Sequence, residues 1–155
     1  MEISAFRRDS KVVEAGQWIG DIPGMGDLRL RVRGLSTPTA VAYRSRLERA
    51  VPRNKRDRDG SLKPEQSLEV FSQVLLEHVL FDWDGITQDG KPVPYSKDLA
   101  AEWLTNPDFR PFADAVAWAA GVVDRGGEET EGESVKPFPK PSPGKSNTET
   151  AAPTV

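Results

Sequence analysis

The sequence predicts an α+β fold: an N-terminal β-hairpin, with a third strand open at Val12-Val13, packed on a mainly helical domain of about four helices. Three observations carry that expectation. Leu28, Leu30 and Val32 alternate with Arg29, Arg31 and Arg33, the period-two signature of a strand with one buried and one wet face. Leu68, Phe71, Leu75 and Val79 recur at spacings of three and four, the period of a helix with one buried stripe. Turn segments rich in Gly and Pro at 23–27 and 87–94, and a charged, turn-rich one at 52–60, divide the chain into short segments.

The elements follow in order. Gln17-Trp18-Ile19 is a partner for the alternating strand, with Pro23-Gly24-Met25-Gly26-Asp27 supplying the turn between them. A lone hairpin is marginal in water, so it must pack on helices or on another sheet. Ser36-Thr37-Pro38 reads as a helix entrance, with a hydroxyl to cap and proline in the first turn. That helix is expected to run to about Val51 and, with sparse apolar residues among arginines, to lie on the surface. A charged loop follows from Pro52 to Gly60. The main core helix is expected from Pro64 to about Leu80, with Val74 and Leu76 widening its stripe. Asp82 to Ile86 leaves the helix, and Thr87 to Pro94 is a turn or extended loop. Ser96 caps a short helix through Leu104, and Phe109 to about Val123 forms the last one, with Pro111 tolerated in its first turn. Residues 1–125 are thus one domain. Residues 126–155 hold almost no large apolar side chains and are expected to form a disordered tail rich in Pro, Glu, Ser and Thr.

Composition narrows the function classes. Without cysteine there is no disulfide framework, thiolate zinc site or thiol chemistry. No stretch approaches the roughly 20 apolar residues that span a bilayer, and the N-terminus has no apolar run of signal-peptide length. The net charge of −3 does not point to nucleic acid, but its distribution is uneven. From Arg29 to Arg58 ten basic residues face two acidic ones, whereas from Glu77 to Asp114 eight acids face three bases. Such halves suit either charge pairing within the chain or contacts between copies.

Each candidate functional residue has a plainer reading beside it. His78 is alone, with no nucleophile or orienting carboxylate nominated beside it, so a structural role is expected. Asp82, Asp84 and Asp89 near Gly85 and Gly90 do not follow the order of a calcium-binding EF-hand. The basic segment lacks a DNA-binding module and has only Tyr43 interleaved among its arginines, so nucleic acid is not the expected partner. Trp18, Trp83, Trp103 and Trp118 are many for a small domain, and aromatic anchors serve protein interfaces. Trp83, Trp103 and Trp118, with Arg29, Arg31 and Arg33, are the candidate protein-binding residues. No catalytic, cofactor or metal residue is assigned, and an enzyme is not expected: phosphate loops, G-x-S-x-G and H-E-x-x-H are all missing.

The ordered pieces together resemble the tail assembly chaperones of long-tailed, siphovirus-like bacteriophages and prophages, over roughly residues 12 to 123. The resemblance lies in Gln17-Trp18-Ile19, in Asp27 to Arg33, and in the stretch Val79 to Ile86. Its most specific part runs from Trp83 through Asp89-Gly90-Lys91-Pro92-Val93-Pro94-Tyr95-Ser96 to Leu104. It implies a factor of the host cytoplasm that binds the tape measure protein, helps recruit tail tube subunits, often self-associates and is missing from the mature virion. A structural virion component, such as a head-tail connector or minor tail protein, is the rival expectation. A nucleic-acid-binding regulator is a more distant one.

Overall fold

The computed structural model describes residues 1–126; the expected disordered tail, but for Gly126, lies outside the described residues. The fold is α+β. A short helix α1 (Ser10–Ala15) leads into strands β1 (Gln17–Ile19) and β2 (Arg29–Val32). Helices α2 (Pro38–Ala50) and α3 (Pro64–Val74) follow, and a wide π-type turn (Leu75–Val79) feeds strand β3 (Leu80–Asp84). The two-residue strands β4 (Thr87–Gln88) and β5 (Lys91–Pro92) form a small hairpin, and α4 (Lys97–Thr105) and α5 (Arg110–Asp124) complete the chain.

The expected hairpin is present, and its alternation determines which face is buried. In β2 Leu30 and Val32 are buried while Arg29 and Arg31 are exposed. The sheet has three antiparallel strands in the order β1-β2-β3. Its third strand is not Val12-Val13, which lies in α1. Asp9 caps that helix by accepting the Lys11 N–H, and only Val13 of its residues is buried. The third strand is β3, in register with Leu30 opposite Trp83 and Arg31 opposite Asp82.

The predicted core helix therefore stops early, for a reason visible in the packing. Val74, Leu75, Leu76 and Val79 are all buried, and adjacent residues cannot share one stripe of an α-helix. The π-type turn carrying most of them is packed by α2, α3, α4, α5 and β3 together, which buries Leu75, Leu76 and Val79 and leaves Glu77 and His78 partly exposed. Farther up the helix, the stripe faces inward through Val70 and Val74, whereas Leu68 is 45% exposed.

One carboxylate ties the last helix to the N-terminal segment and to the loop before α2. Asp124, in the last turn of α5, accepts hydrogen bonds from Leu35 N (2.8 Å), Ser36 N (3.2 Å) and Ser36 Oγ (2.5 Å). Arg8 donates to its backbone carbonyl at 2.7 Å and lies 3.4 Å from its carboxylate. Gly34 leaves room for this joint: a Cβ there would overlap Asp124 Oδ1 and stand 2.7 Å from Val13 Cγ1. Thr37 then caps α2 by accepting the Ala40 N–H.

Candidate protein-binding cleft

The stretch singled out between Trp83 and Leu104 has a clear local logic. Asp89 and Gly90 both have positive φ, 52° and 78°, as the tight turn between β4 and β5 requires. The hairpin's exit is held where the Val93 N–H donates to the Ile86 carbonyl at 2.9 Å. That contact presents the Val93 carbonyl to the Trp83 indole, whose Nε1 donates to it at 2.8 Å. Ser96 caps α4 through the Leu99 N–H, and Asn106 accepts from Asp108 N to turn the chain into α5. Prolines 92, 94, 107 and 111 stiffen the connections.

These joints bring five aromatic rings, Trp83, Tyr95, Trp103, Phe109 and Phe112, into one cluster. Trp83 stacks on Trp103 with centroids 4.9 Å apart, and Trp103 stacks on Phe109 at 5.7 Å. Tyr95 meets Trp83 edge-on at 5.0 Å, and Phe112 meets both indoles edge-on at 5.8 and 5.4 Å. Each such pair contributes about 0.5–1.5 kcal/mol beyond the area it buries. Burial also raises the pKa of the Tyr95 hydroxyl above its ordinary value, with smaller opposing and reinforcing effects from Lys97 and nearby carboxylates.

The ladder is graded in exposure. Trp83 is 4% exposed and belongs to the core, so among the predicted binding residues it cannot make direct surface contacts; it supports Trp103 from behind. Phe109 is 39% exposed at the outer end. Beside the ladder lies a cleft of about 640 Å³, lined by Trp103, Phe109, Pro111 and Phe112 together with Met25, Leu28, Ile86, Val93 and Leu99. Glu102 is its one charged lining residue, and Gly85, Thr87 and Gln88 complete the wall. Gly85 permits the close approach of β3's end to the Met25–Leu28 turn, since a Cβ there would overlap the Asp27 carbonyl oxygen.

The other predicted residues lie elsewhere. Trp118 is 37% exposed on α5 but does not line this cleft. Arg29, Arg31 and Arg33 lie on the outer side of the sheet. Arg29 lies over Trp18 (5.1 Å) and 3.9 Å from Asp84, and Arg33 lies over the Phe81 ring at 4.2 Å. Arg44 and Arg46 of α2 likewise cover Phe71 and Tyr43. The structure thus unites Trp83 with Trp103, and separates Trp118 and the arginines from them. Phe109, Phe112 and the Met25–Leu28 turn were missed as cleft residues.

Among the described residues no cluster of His, Asp or Glu is placed to hold a metal ion, and no helix is long and apolar enough to cross a membrane. His78 sits on the π-type turn with its ring 4.5 Å from that of Tyr43. Burial lowers its pKa below the ordinary 6.5, with Arg33, Arg46 and Lys97 acting in the same direction and Glu77 against them.

No curated protein and no solved structure matches the chain. The family described as YdaY prophage protein matches residues 37–136, which include the aromatic ladder and all of the cleft wall except Met25 and Leu28. With more than half of its length so matched, this chain belongs to the YdaY prophage protein family and is a phage-related protein.

Proposed function

We propose that this protein is a non-enzymatic binding factor of phage tail assembly, which holds apolar helical segments of a tape measure protein in the aromatic cleft. The observation that carries the proposal is the cleft itself: nine apolar residues border it around a single carboxylate, and its rings are fixed by stacking rather than free to collapse. A cleft of this kind suits an amphipathic helix, whose apolar side chains at successive turns replace water against fixed rings. Binding of this sort needs no reactive group. The prophage family and the resemblance of the Trp83–Leu104 stretch to tail assembly chaperones both favour tail morphogenesis as the setting. Recruitment of tail tube subunits and self-association belong to the same proposal, as does action in the bacterial cytoplasm.

Coexpression with fragments of the tape measure protein from the same prophage tests it. Specific capture, with more fragment recovered in the soluble fraction, is expected, and Phe109→Ser should lower capture at least tenfold. Failure to capture any fragment, together with detection of the chain in purified particles, would replace the chaperone reading with that of a virion component.

A further inference from the structure

The cleft has a candidate occupant within the chain. After Gly126 the sequence reaches Lys136-Pro137-Phe138-Pro139-Lys140-Pro141-Ser142-Pro143, with proline at every second position. Proline fixes φ near −65°, so such a segment favours the extended polyproline II form and loses little conformational freedom on binding. Grooves lined by aromatic rings are the usual receptors for that form, because flat rings pack against proline rings. Phe109, 39% exposed at the ladder's end, and Pro111 beside it present such a surface, with Trp103 stacked behind Phe109.

Charge and reach agree with it. Glu102 is the one charged lining residue, exposed Asp98 and Asp108 adjoin lining residues, and Arg110, which lies between Phe109 and Pro111, is ion-paired with Asp114. The segment carries Lys136 and Lys140 and no acid. Helix α5 starts at the cleft and runs 15 residues away from it, about 21 Å. Residues 127–136 span up to about 33 Å when extended, enough to return along α5 and place Phe138 at the cleft.

We propose that the segment Lys136–Pro143 docks in the Trp103–Phe109 cleft of its own chain and competes there with the partner. The contact stands on the cleft and the sequence; its regulatory consequence rests on the protein-binding reading above. Because the chain has no native cysteine, a nitroxide can be attached at Ser142→Cys alone in the full-length protein. Docking predicts strong paramagnetic broadening of the Trp103 indole and of Val93 and Leu99, with little at Arg44 and Arg46. Phe138→Ala combined with Lys136→Glu and Lys140→Glu should reduce that broadening several-fold. A mixture of spin-labelled chains with isotope-labelled chains that carry no nitroxide reports contacts between copies. Broadening that is uniform, missing, unaltered by the triple variant, or as strong in the mixture would overturn the proposal. In the capture assay the triple variant should bind tape measure fragments about fivefold better. Unchanged capture would overturn the competition, whereas loss of capture in every variant with broadening intact would overturn only the partner assignment.

Discussion

Two regions of this molecule combine aromatic rings with an uneven charge, and they use them in opposite ways. On the outer side of the sheet and along α2, arginines lie over the rings of Trp18, Phe81, Phe71 and Tyr43, and Arg29 adds an ion pair with Asp84. Each ring there is covered by its own chain. In the other region, Trp83, Trp103 and Phe109 stack on one another beside an apolar cleft. The lesson is that aromatic content alone does not mark a binding surface. What matters is whether neighbouring side chains cover the rings or merely support them.

The largest effect should come from the ring that anchors the aromatic end. Trp83→Ala removes a buried indole, its stack on Trp103 and its hydrogen bond to Val93, and should cost about 3–5 kcal/mol. Arg31→Ala on the exposed sheet face should stay within about 0.5 kcal/mol. Urea denaturation of both variants measures the contrast. Equal losses would mean that the arginine face contributes to the fold as strongly as the aromatic core does.

A smaller loss is expected at the joint between the two regions. Asp124 ties α5, which borders the cleft, to the loop before arginine-rich α2. Asp124→Ala leaves the Leu35 and Ser36 donors without their carboxylate, which should cost about 1–3 kcal/mol. Gly34→Ala should also destabilise, because its Cβ would overlap the same carboxylate. The double variant should lose less than the sum of the two single losses, since the carboxylate that the added methyl group would strike is gone. Full additivity would show that the two residues act separately.

Binding sharpens the contrast further. Phe109 is 39% exposed at the ladder's end and stacks on Trp103, so Phe109→Ser should cost about 1–2 kcal/mol, well below the loss at Trp83. A tenfold loss of partner capture, equivalent to about 1.4 kcal/mol, is nonetheless expected. Arg29→Ser with Arg31→Ser should leave capture unaltered. The reverse pattern would move the interface to the sheet.

How much of this was legible in the sequence depended on how local each signal is. The buried face of β2 and the caps at Thr37 and Ser96 are written within a few residues, and the structure bears them out. Strand β3 is not written locally: Val79-Leu80-Phe81 continues the apolar run of a helix, and only pairing with residues some fifty positions earlier makes it a strand. Val12-Val13 shows the converse, a β-branched pair held in a helix by the Asp9 cap. The cleft was half legible. The Trp83–Ser96 stretch announced a specific joint, but the sequence could not tell that Trp83 would be buried, that Trp118 would stand apart, or that Met25 and Leu28 would line the cleft.

The smallest expected effect concerns His78, which lies on the arginine side of the contrast. Its ring packs near Tyr43, with Arg33, Arg46 and Lys97 as facing cations and Glu77 as the opposing charge. Burial, aided by those cations, favours the neutral imidazole, so the folded-state pKa lies below the unfolded value near 6.5. The unfolded chain therefore binds the proton more readily. Stability from the neutral ring is fully present above pH 6.5 and declines as the pH falls toward the folded-state pKa. His78→Gln should flatten that part of the curve relative to the parent, measured by urea midpoints between about pH 7.5 and 5. Curves that stay parallel would mean that the crowded cations of this face do not act on His78, and that burial and charge there balance in the folded and unfolded chains alike.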